Sequence, residues 1–139
     1  MYHKILHATD LGGNHYKMCE QAAEIAKIFN AKLHLIFVIE PPASLQLAQG
    51  LGFAEFDRPI KTDADEVMKL LGDAINVPEK CQYIEIGSVK HQIINKAKEL
   101  GCDLIIVGSH TPSNLPAFLG STAHAVVNHA SCDVLTLRA

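Results

Sequence analysis

The chain has 139 residues, of which 48% are hydrophobic and 19% are charged, with a formal net charge of -3. This length suits one domain over 1–139, and the composition is that of a globular protein, neither disordered nor membrane-embedded. Mixed acidic and basic residues give no case for nucleic acid or an anionic membrane. The lack of a signal peptide and four widely spaced cysteines predict a cytoplasmic protein with reduced thiols.

Short apolar runs alternate with segments of helical period along the chain. In chain order the pattern predicts strand Tyr2–Ala8, a helix from Asn14, strand Lys32–Ile39, an irregular segment Pro42–Asp57, helix Pro59–Ala74, strand Gln82–Ile86, helix His91–Leu100, strand Asp103–Val107, a helix after Gly120-Ser121 and strand Asp133–Leu137. The irregular segment is expected to be a mobile loop or a short helix. The buried faces of the first two predicted helices would carry Met18, Ala22, Ile25, Ala26 and Phe29, and Ile60, Ala64, Val67, Leu70 and Leu71.

Strands that alternate with helices predict right-handed crossovers and a parallel sheet with helices on both faces. In such sheets ligands bind beyond the carboxyl ends of the strands, near a switch in strand order. The positions at those ends are Asp10, Val38–Glu40, Gly87–Ser88 and Gly108 onward.

The loop after the fourth strand carries the features of a phosphate-binding turn. Gly108 would permit a positive φ or the close approach of a ligand to the backbone. Ser121 or Thr122 could cap the last helix, whose free N–H groups and dipole favour an anion. Neither a Walker loop nor a Rossmann fingerprint is present, and glycine and serine are also ordinary turn residues. Phosphate binding and a plain turn both remain open from these residues alone.

Four ordered pieces of the chain resemble the universal stress protein family. These pieces are Tyr2–Asp10, Ala31–Ile39, Glu85–Ser88 and a C-terminal set made of Gly108-Ser109-His110, Leu119–Thr122 and Val126–Leu135. The resemblance covers essentially the whole chain. It implies a five-stranded parallel sheet of order 3-2-1-4-5 with helices on both faces, the adenine-nucleotide alpha-hydrolase-like fold. It also implies a homodimer formed through the C-terminal strand, where pairing would cover an exposed edge.

An adenine-nucleotide site is also implied by the resemblance, for ATP or AMP, with or without Mg²⁺. Asp10 would bind the ribose through its carboxylate. The base would be framed by Ala8, Thr9 and Val38, with Val107 lining its pocket and Val38 contributing backbone hydrogen bonds. The phosphates would be surrounded by Gly108, His110, Gly120, Ser121 and Thr122.

Two departures from the family's G-x2-G-x9-G-[ST] pattern leave triphosphate binding open. Thr111 stands at the second glycine position, and eight residues separate it from Gly120. Pro112 also pushes Thr111 towards extended backbone. No lysine or arginine occurs from Gly108 to Thr122, so we expect binding with slow hydrolysis or autophosphorylation at most, and no catalytic residue is assigned.

The eight histidines do not predict a metal site. His124 and His129 lack the i, i+4 spacing of a helical metal pair, and the strand histidines His3, His7 and His34 are expected to be packed or at an edge. His110 could donate to a phosphate or be an exposed turn residue. Asp10 could instead satisfy backbone donors in the turn at residues 12–13.

These observations predict a stress-response protein that binds an adenine nucleotide and acts as a signalling or regulatory module through unknown protein partners. One alternative is a dimeric interaction scaffold of the same fold that binds no nucleotide. Another is an adenylating or ATP-cleaving enzyme on a related fold. The segment Pro42–Phe56 could serve as a lid or partner surface, or fold onto the core.

Overall fold

A computed structural model describes residues 1–11, 15–52, 57–109 and 120–138 of the chain. Within these ranges the strands and helices are β1 Lys4–Ala8, α1 His15–Phe29, β2 Lys32–Ile39, α2 Ala43–Gly50, α3 Asp57–Ile75, β3 Gln82–Ile86, α4 Val89–Leu100, β4 Leu104–Ser109, α5 Ser121–His129 and β5 Asp133–Arg138. A short 3₁₀ helix, Glu79–Cys81, precedes β3 and was not predicted. None of the helices in the described ranges is long and apolar enough to cross a membrane.

The predicted alternation of strands and helices is confirmed, and β2 and β3 have the predicted bounds. Strand β4 runs further than its apolar residues suggest, because Gly108 and Ser109 pair with Leu137 and Arg138 of β5. Helix α2 confirms the short-helix alternative for part of the irregular segment. Residues 53–56 of that segment lie outside the described residues.

The five strands form one parallel sheet of order β3-β2-β1-β4-β5, which confirms the predicted order. At its centre Ile5 of β1 lies between Leu33 of β2 and Leu104 of β4. At the carboxyl end of β1, Ala8 lies between Ile36 and Val107. After β1 the chain adds β2 and then β3 on one side of β1, and it then crosses to the other side of β1 to form β4. The strand order therefore switches between β1 and β4.

Alternate residues of the strands pack against different helices, which confirms the prediction of helices on both faces. One buried layer joins the sheet to α1 and α3 and contains Ile5, Ala22, Ala26, Leu33, Leu35, Met68, Leu104 and Ile106. The other joins it to α4 and α5 and contains Leu6, Ile36, Ile93, Ala97, Ile105, Val107, Ala123 and Val126. Each fully buried aliphatic side chain contributes about 1.5–3 kcal/mol, so the two layers supply most of the driving force for folding.

The predicted buried face of α3 is wrong at two positions. Val67 is 45% exposed and Leu70 is 71% exposed, whereas Ala64 and Met68 are buried. Leu71 is partly buried against the same layer. Because residues advance about 100° around a helix, Leu70 lies about 120° away from Ala64. The sheet covers only a narrow stripe of α3, so apolar spacing alone overestimated the buried face.

Hydrogen bonds join the amino ends of β1 and β4, on the side of the sheet opposite the predicted site residues. Gly101 ends α4 in the left-handed conformation with φ of 71°, and its N–H is donated to carbonyl oxygens of the last turn. Two residues later the Asp103 carboxylate accepts the backbone N–H groups of His3 and Lys4 at 2.9–3.1 Å. These hydrogen bonds fix the start of both central strands.

Candidate functional site

A cavity of about 420 Å³ lies at the carboxyl ends of the central strands, where the strand order switches. Its volume falls within the range of about 300–1,000 Å³ that is usual for small-molecule sites. Its lining consists of Ala8, Thr9, Asp10, His15, Met18, Ile36, Phe37, Val38, Val89, Ile93, Val107, Gly108, Gly120, Ser121, Thr122 and Ala123. These residues come from β1, β2 and β4, the connections after β1 and β4, and α1, α4 and α5.

Every predicted binding residue in the described ranges lines this one cavity. These residues are Ala8, Thr9, Asp10, Val38, Val107, Gly108, Gly120, Ser121 and Thr122. His110, together with Thr111, lies outside the described residues. The parallel register explains the convergence, because it brings the ends of β1, β2 and β4 to the same edge of the sheet.

The chain leaves β1 through a tight turn that presents Asp10. The Thr9 N–H is donated to Ile36 O at 2.9 Å, which continues the sheet by one residue. The Thr9 hydroxyl oxygen then accepts the Leu11 N–H at 3.1 Å. Leu11 has φ of 61°, a left-handed conformation that is uncommon for leucine. The Asp10 side chain between them is 66% exposed, so a solute in the cavity can reach its carboxylate.

His15, the first residue of α1, contacts Asp10 twice and was not predicted from the sequence. Its Nε2 lies 2.9 Å from Asp10 Oδ1, and its Nδ1 accepts the Asp10 backbone N–H at 3.2 Å. The available signal was positional. A helix that follows β1 begins at the carboxyl edge of the sheet, so the side chains of its first turn lie beside the site.

At Gly108 the close packing of a helix, rather than the backbone angle, favours glycine. The glycines with positive φ in the described ranges are Gly52, Gly87 and Gly101, so of the two alternatives for Gly108 the positive φ is excluded and the close approach of a ligand stays a prediction. A Cβ built on Gly108 would lie 2.7 Å from Met18 Sδ. Met18 of α1 therefore occupies the space that a side chain would need, and it forms part of the cavity wall.

Helix α5 begins at the cavity, but the predicted cap is wrong. Gly120 is the N-cap residue, with φ of -59° and ψ of 155°, and the helix itself begins at Ser121. The first intrahelical bond runs from the His124 N–H to Gly120 O at 2.9 Å. The N–H groups of Ser121, Thr122 and Ala123 therefore have no acceptor within the helix. Such a helix start favours an anion through these donors and the helix dipole.

Few titratable side chains lie around the cavity. Asp10 and His15 are the titratable members of its described lining, which contains no lysine or arginine. Residues 110–119 carry neither lysine nor arginine in the sequence. The described residues contain no group of three or more histidine, cysteine, aspartate or glutamate side chains that could hold a metal ion.

Among the described residues, the histidines other than His15 are not part of the cavity lining. His7 and His34 are buried in the sheet, which confirms that they are packed residues, whereas His3, His124 and His129 are exposed. His7 lies beneath the site on β1, and its Nδ1 is 3.0 Å from Ile106 O. Burial lowers the pKa of His7 to about 4, so this imidazole is neutral at ordinary pH.

A five-stranded parallel sheet of order 3-2-1-4-5 with a cavity at its switch point is a doubly wound α/β architecture, and it is the fold that the resemblance to the adenine-nucleotide alpha-hydrolase-like proteins implies. Residues 1–138 match the Universal stress protein family, and the chain belongs to that family. The curated relative Universal stress protein A homolog 1 of Coxiella burnetii is 35% identical over 141 residues, which cover 98% of this chain and 96% of the relative.

Solved structures share the fold over nearly the whole chain. The hypothetical protein MJ0577 superposes with a TM-score of 0.80 at 23% identity, over 100% of this chain and 97% of that one. A universal stress protein in complex with cAMP superposes with a TM-score of 0.67 at 20% identity, over 99% and 97% of the two chains. These similarities establish the fold, and the family match establishes the link to the stress response.

Proposed function

We propose that this stress-response protein binds an adenine nucleotide, ATP or AMP, in the cavity described above. In this proposal it acts in the cytoplasm as a signalling or regulatory module through protein partners. The observation that carries the proposal is that the predicted binding residues come together in the folded protein. Nine positions that the family resemblance assigns to nucleotide binding come from separate parts of the chain and line one cavity at the switch point.

The chemistry of the lining matches the three parts of a nucleotide. Ala8, Val38 and Val107 offer an apolar surface for the faces of a base. The carboxylate of Asp10 accepts hydrogen bonds, and the hydroxyl groups of a ribose donate them. The first turn of α5, from Ser121, offers backbone donors and a helix dipole to phosphate oxygens.

The charge of the site favours a ligand with few phosphates. No cationic side chain other than His15, when protonated, belongs to the described lining. The triphosphate of ATP would therefore depend on backbone donors and on a divalent ion to offset its charge. Mg²⁺ commonly binds through substrate phosphates and one or two carboxylates, and Asp10 is the described carboxylate that lines the cavity. In the absence of Mg²⁺, we expect AMP to bind at least as tightly as ATP.

One structural neighbour was solved with cAMP, an adenine nucleotide that carries a single phosphate. At 20% identity this neighbour supports the class of ligand and not its exact identity. Apolar walls together with a single carboxylate are compatible with an adenine nucleotide of low charge.

Calorimetric titration of the protein with ATP, AMP and cAMP, with and without Mg²⁺, tests the proposal. The variant Asp10→Asn should weaken binding about tenfold or more, because it removes the charge from a hydrogen-bonded acceptor. Asp65→Asn is the matched control, since Asp65 is exposed on α3 and lies outside the cavity lining. The absence of both binding heat and thermal stabilisation at millimolar nucleotide would favour the scaffold alternative.

The proposal includes a homodimer that forms through β5. This strand lies at the edge of the sheet, where unpaired backbone groups favour association. Leu135 on β5 is 37% exposed, and Val127 on the adjacent α5 is 45% exposed. Leu135→Lys should shift sedimentation from dimer to monomer. Leu70→Lys, a change at a more exposed leucine on α3, should leave the dimer intact. A wild-type monomer at high concentration would exclude this interface.

A further inference from the structure

The imidazole of His15 uses both of its nitrogen atoms on a single residue. Nδ1 accepts the backbone N–H of Asp10 at 3.2 Å, and Nε2 lies 2.9 Å from the Oδ1 atom of the same aspartate. For both contacts to be hydrogen bonds, the ring must be neutral and must carry its proton on Nε2. The ring then links the Asp10 carboxylate to its own main chain and restricts its rotation.

The backbone after Asp10 is also restrained. The hydroxyl oxygen of Thr9 accepts the Leu11 N–H at 3.1 Å, and Leu11 has φ of 61°. A left-handed conformation at a residue other than glycine persists where surrounding contacts determine it, and such residues concentrate at functional sites. The Asp10 carboxylate is therefore presented by a fixed turn and by a fixed side chain, although it is 66% exposed.

We propose that His15 is a positioning residue that fixes the Asp10 carboxylate for ligands with paired hydroxyl donors, and so makes the site selective for a ribose. This inference rests on the proposed function and adds a determinant of specificity to it. A carboxylate has no proton to donate, so its ligand partner must be a donor. Adjacent hydroxyl groups on a ribose meet that requirement, and a dideoxyribose lacks them.

The expected size of the effect follows from the cost of ordering a side chain on binding. Immobilising a free, rotamer-rich side chain weakens binding by about three- to tenfold. His15 removes that cost in advance by restraining the carboxylate. His15→Ala should impose the part of this cost that His15 removes, whereas His15→Gln should recover part of the affinity, because the glutamine amide also carries one acceptor oxygen and N–H donors.

The test is a calorimetric comparison of ATP with dideoxy-ATP, whose ribose lacks both hydroxyl groups. His15→Ala should weaken ATP binding about three- to tenfold and leave dideoxy-ATP binding unchanged. In the Asp10→Asn background, His15→Ala should cause no further loss. His91→Ala is the control, because His91 is exposed on α4 and lies outside the cavity lining.

The outcomes separate this inference from the proposed function. A wild-type protein that binds ATP, with equal losses for ATP and dideoxy-ATP in His15→Ala, would show that His15 has a general structural role and would overturn the inference alone. Unchanged ATP affinity in His15→Ala would overturn it as well. A wild-type protein that binds neither ATP nor AMP would overturn both proposals.

Discussion

Met18 Sδ lies only 2.7 Å from where a Cβ on Gly108 would be placed. Gly108 ends the apolar part of β4, and Met18 lies on the first turns of α1, so this approach brings a helix against the backbone of a central strand. Both residues line the cavity. The glycine therefore shapes the site through the packing of a helix.

Gly108→Ala should force the Met18 side chain to move and should lower the free energy of unfolding by about 1 kcal/mol, because the end of a methionine side chain is flexible. Urea unfolding would measure the change. Met18→Ala should weaken this effect in the double variant, because it removes the sulfur that the new methyl group meets. Gly50→Ala is the control, since a Cβ there meets nothing within 4 Å. Additive losses from Gly108→Ala and Met18→Ala would contradict this explanation of the glycine.

His7 should make the stability of the protein depend on pH. Burial lowers its pKa from 6.5 to about 4 in the folded protein, and neighbouring His15 adds to this effect while the bond to Ile106 O opposes it. As the pH falls through about 6.5, His7 becomes protonated in the unfolded chain, whereas buried His7 in the folded protein stays neutral until about pH 4. The stability associated with neutral His7 is therefore complete above that pH and decreases from about pH 6.5 towards pH 4, by at most about 1.4 kcal/mol per unit.

Urea unfolding near pH 7 and near pH 5 would measure this contribution in the wild type and in His7→Asn. Asparagine can still donate an N–H to Ile106 O but does not titrate, so the variant should lose less stability between the two pH values. His91→Asn, at an exposed histidine, should behave like the wild type. Identical pH dependence in His7→Asn and the wild type would exclude His7 as the source.

ATP hydrolysis should be slow. The described lining of the cavity supplies no lysine or arginine to stabilise the charge that develops on a transferred phosphoryl group. We expect a steady-state turnover below about 0.01 per second, measured by phosphate release in the presence of Mg²⁺. A turnover on the order of tens per second would show that the site is catalytic and would require a cationic group from elsewhere.

The fold could be predicted from the sequence because its signals are repeated along the chain. Apolar runs such as Lys32–Ile39 are long enough to be identified as strands, and their alternation with helices implies a parallel sheet. Most of the cavity lining followed from the family resemblance. The resemblance therefore assigned residues at strand ends, such as Ala8 to Asp10, to the site without showing that they lie close together in the folded protein.

What could not be predicted depends on distances between elements. The packing of Met18 on Gly108 requires the position of α1 over β4, which no local pattern contains. The contact of His15 with Asp10 depends on where α1 begins relative to the end of β1, which no local pattern contains. Spacing on α3 indicates an apolar side but not how much of it the sheet covers, which explains the exposed Leu70.

The central claim, that an adenine nucleotide binds at the switch point, is tested most directly by an NMR titration with AMP and ATP. Binding in the cavity predicts saturable shifts of the backbone amide signals of Asp10, Gly108 and Ser121. The signals of Lys32 and Asp103, at the amino ends of their strands, should remain unchanged. Absence of shifts at millimolar nucleotide, or shifts confined to another surface, would contradict the claim.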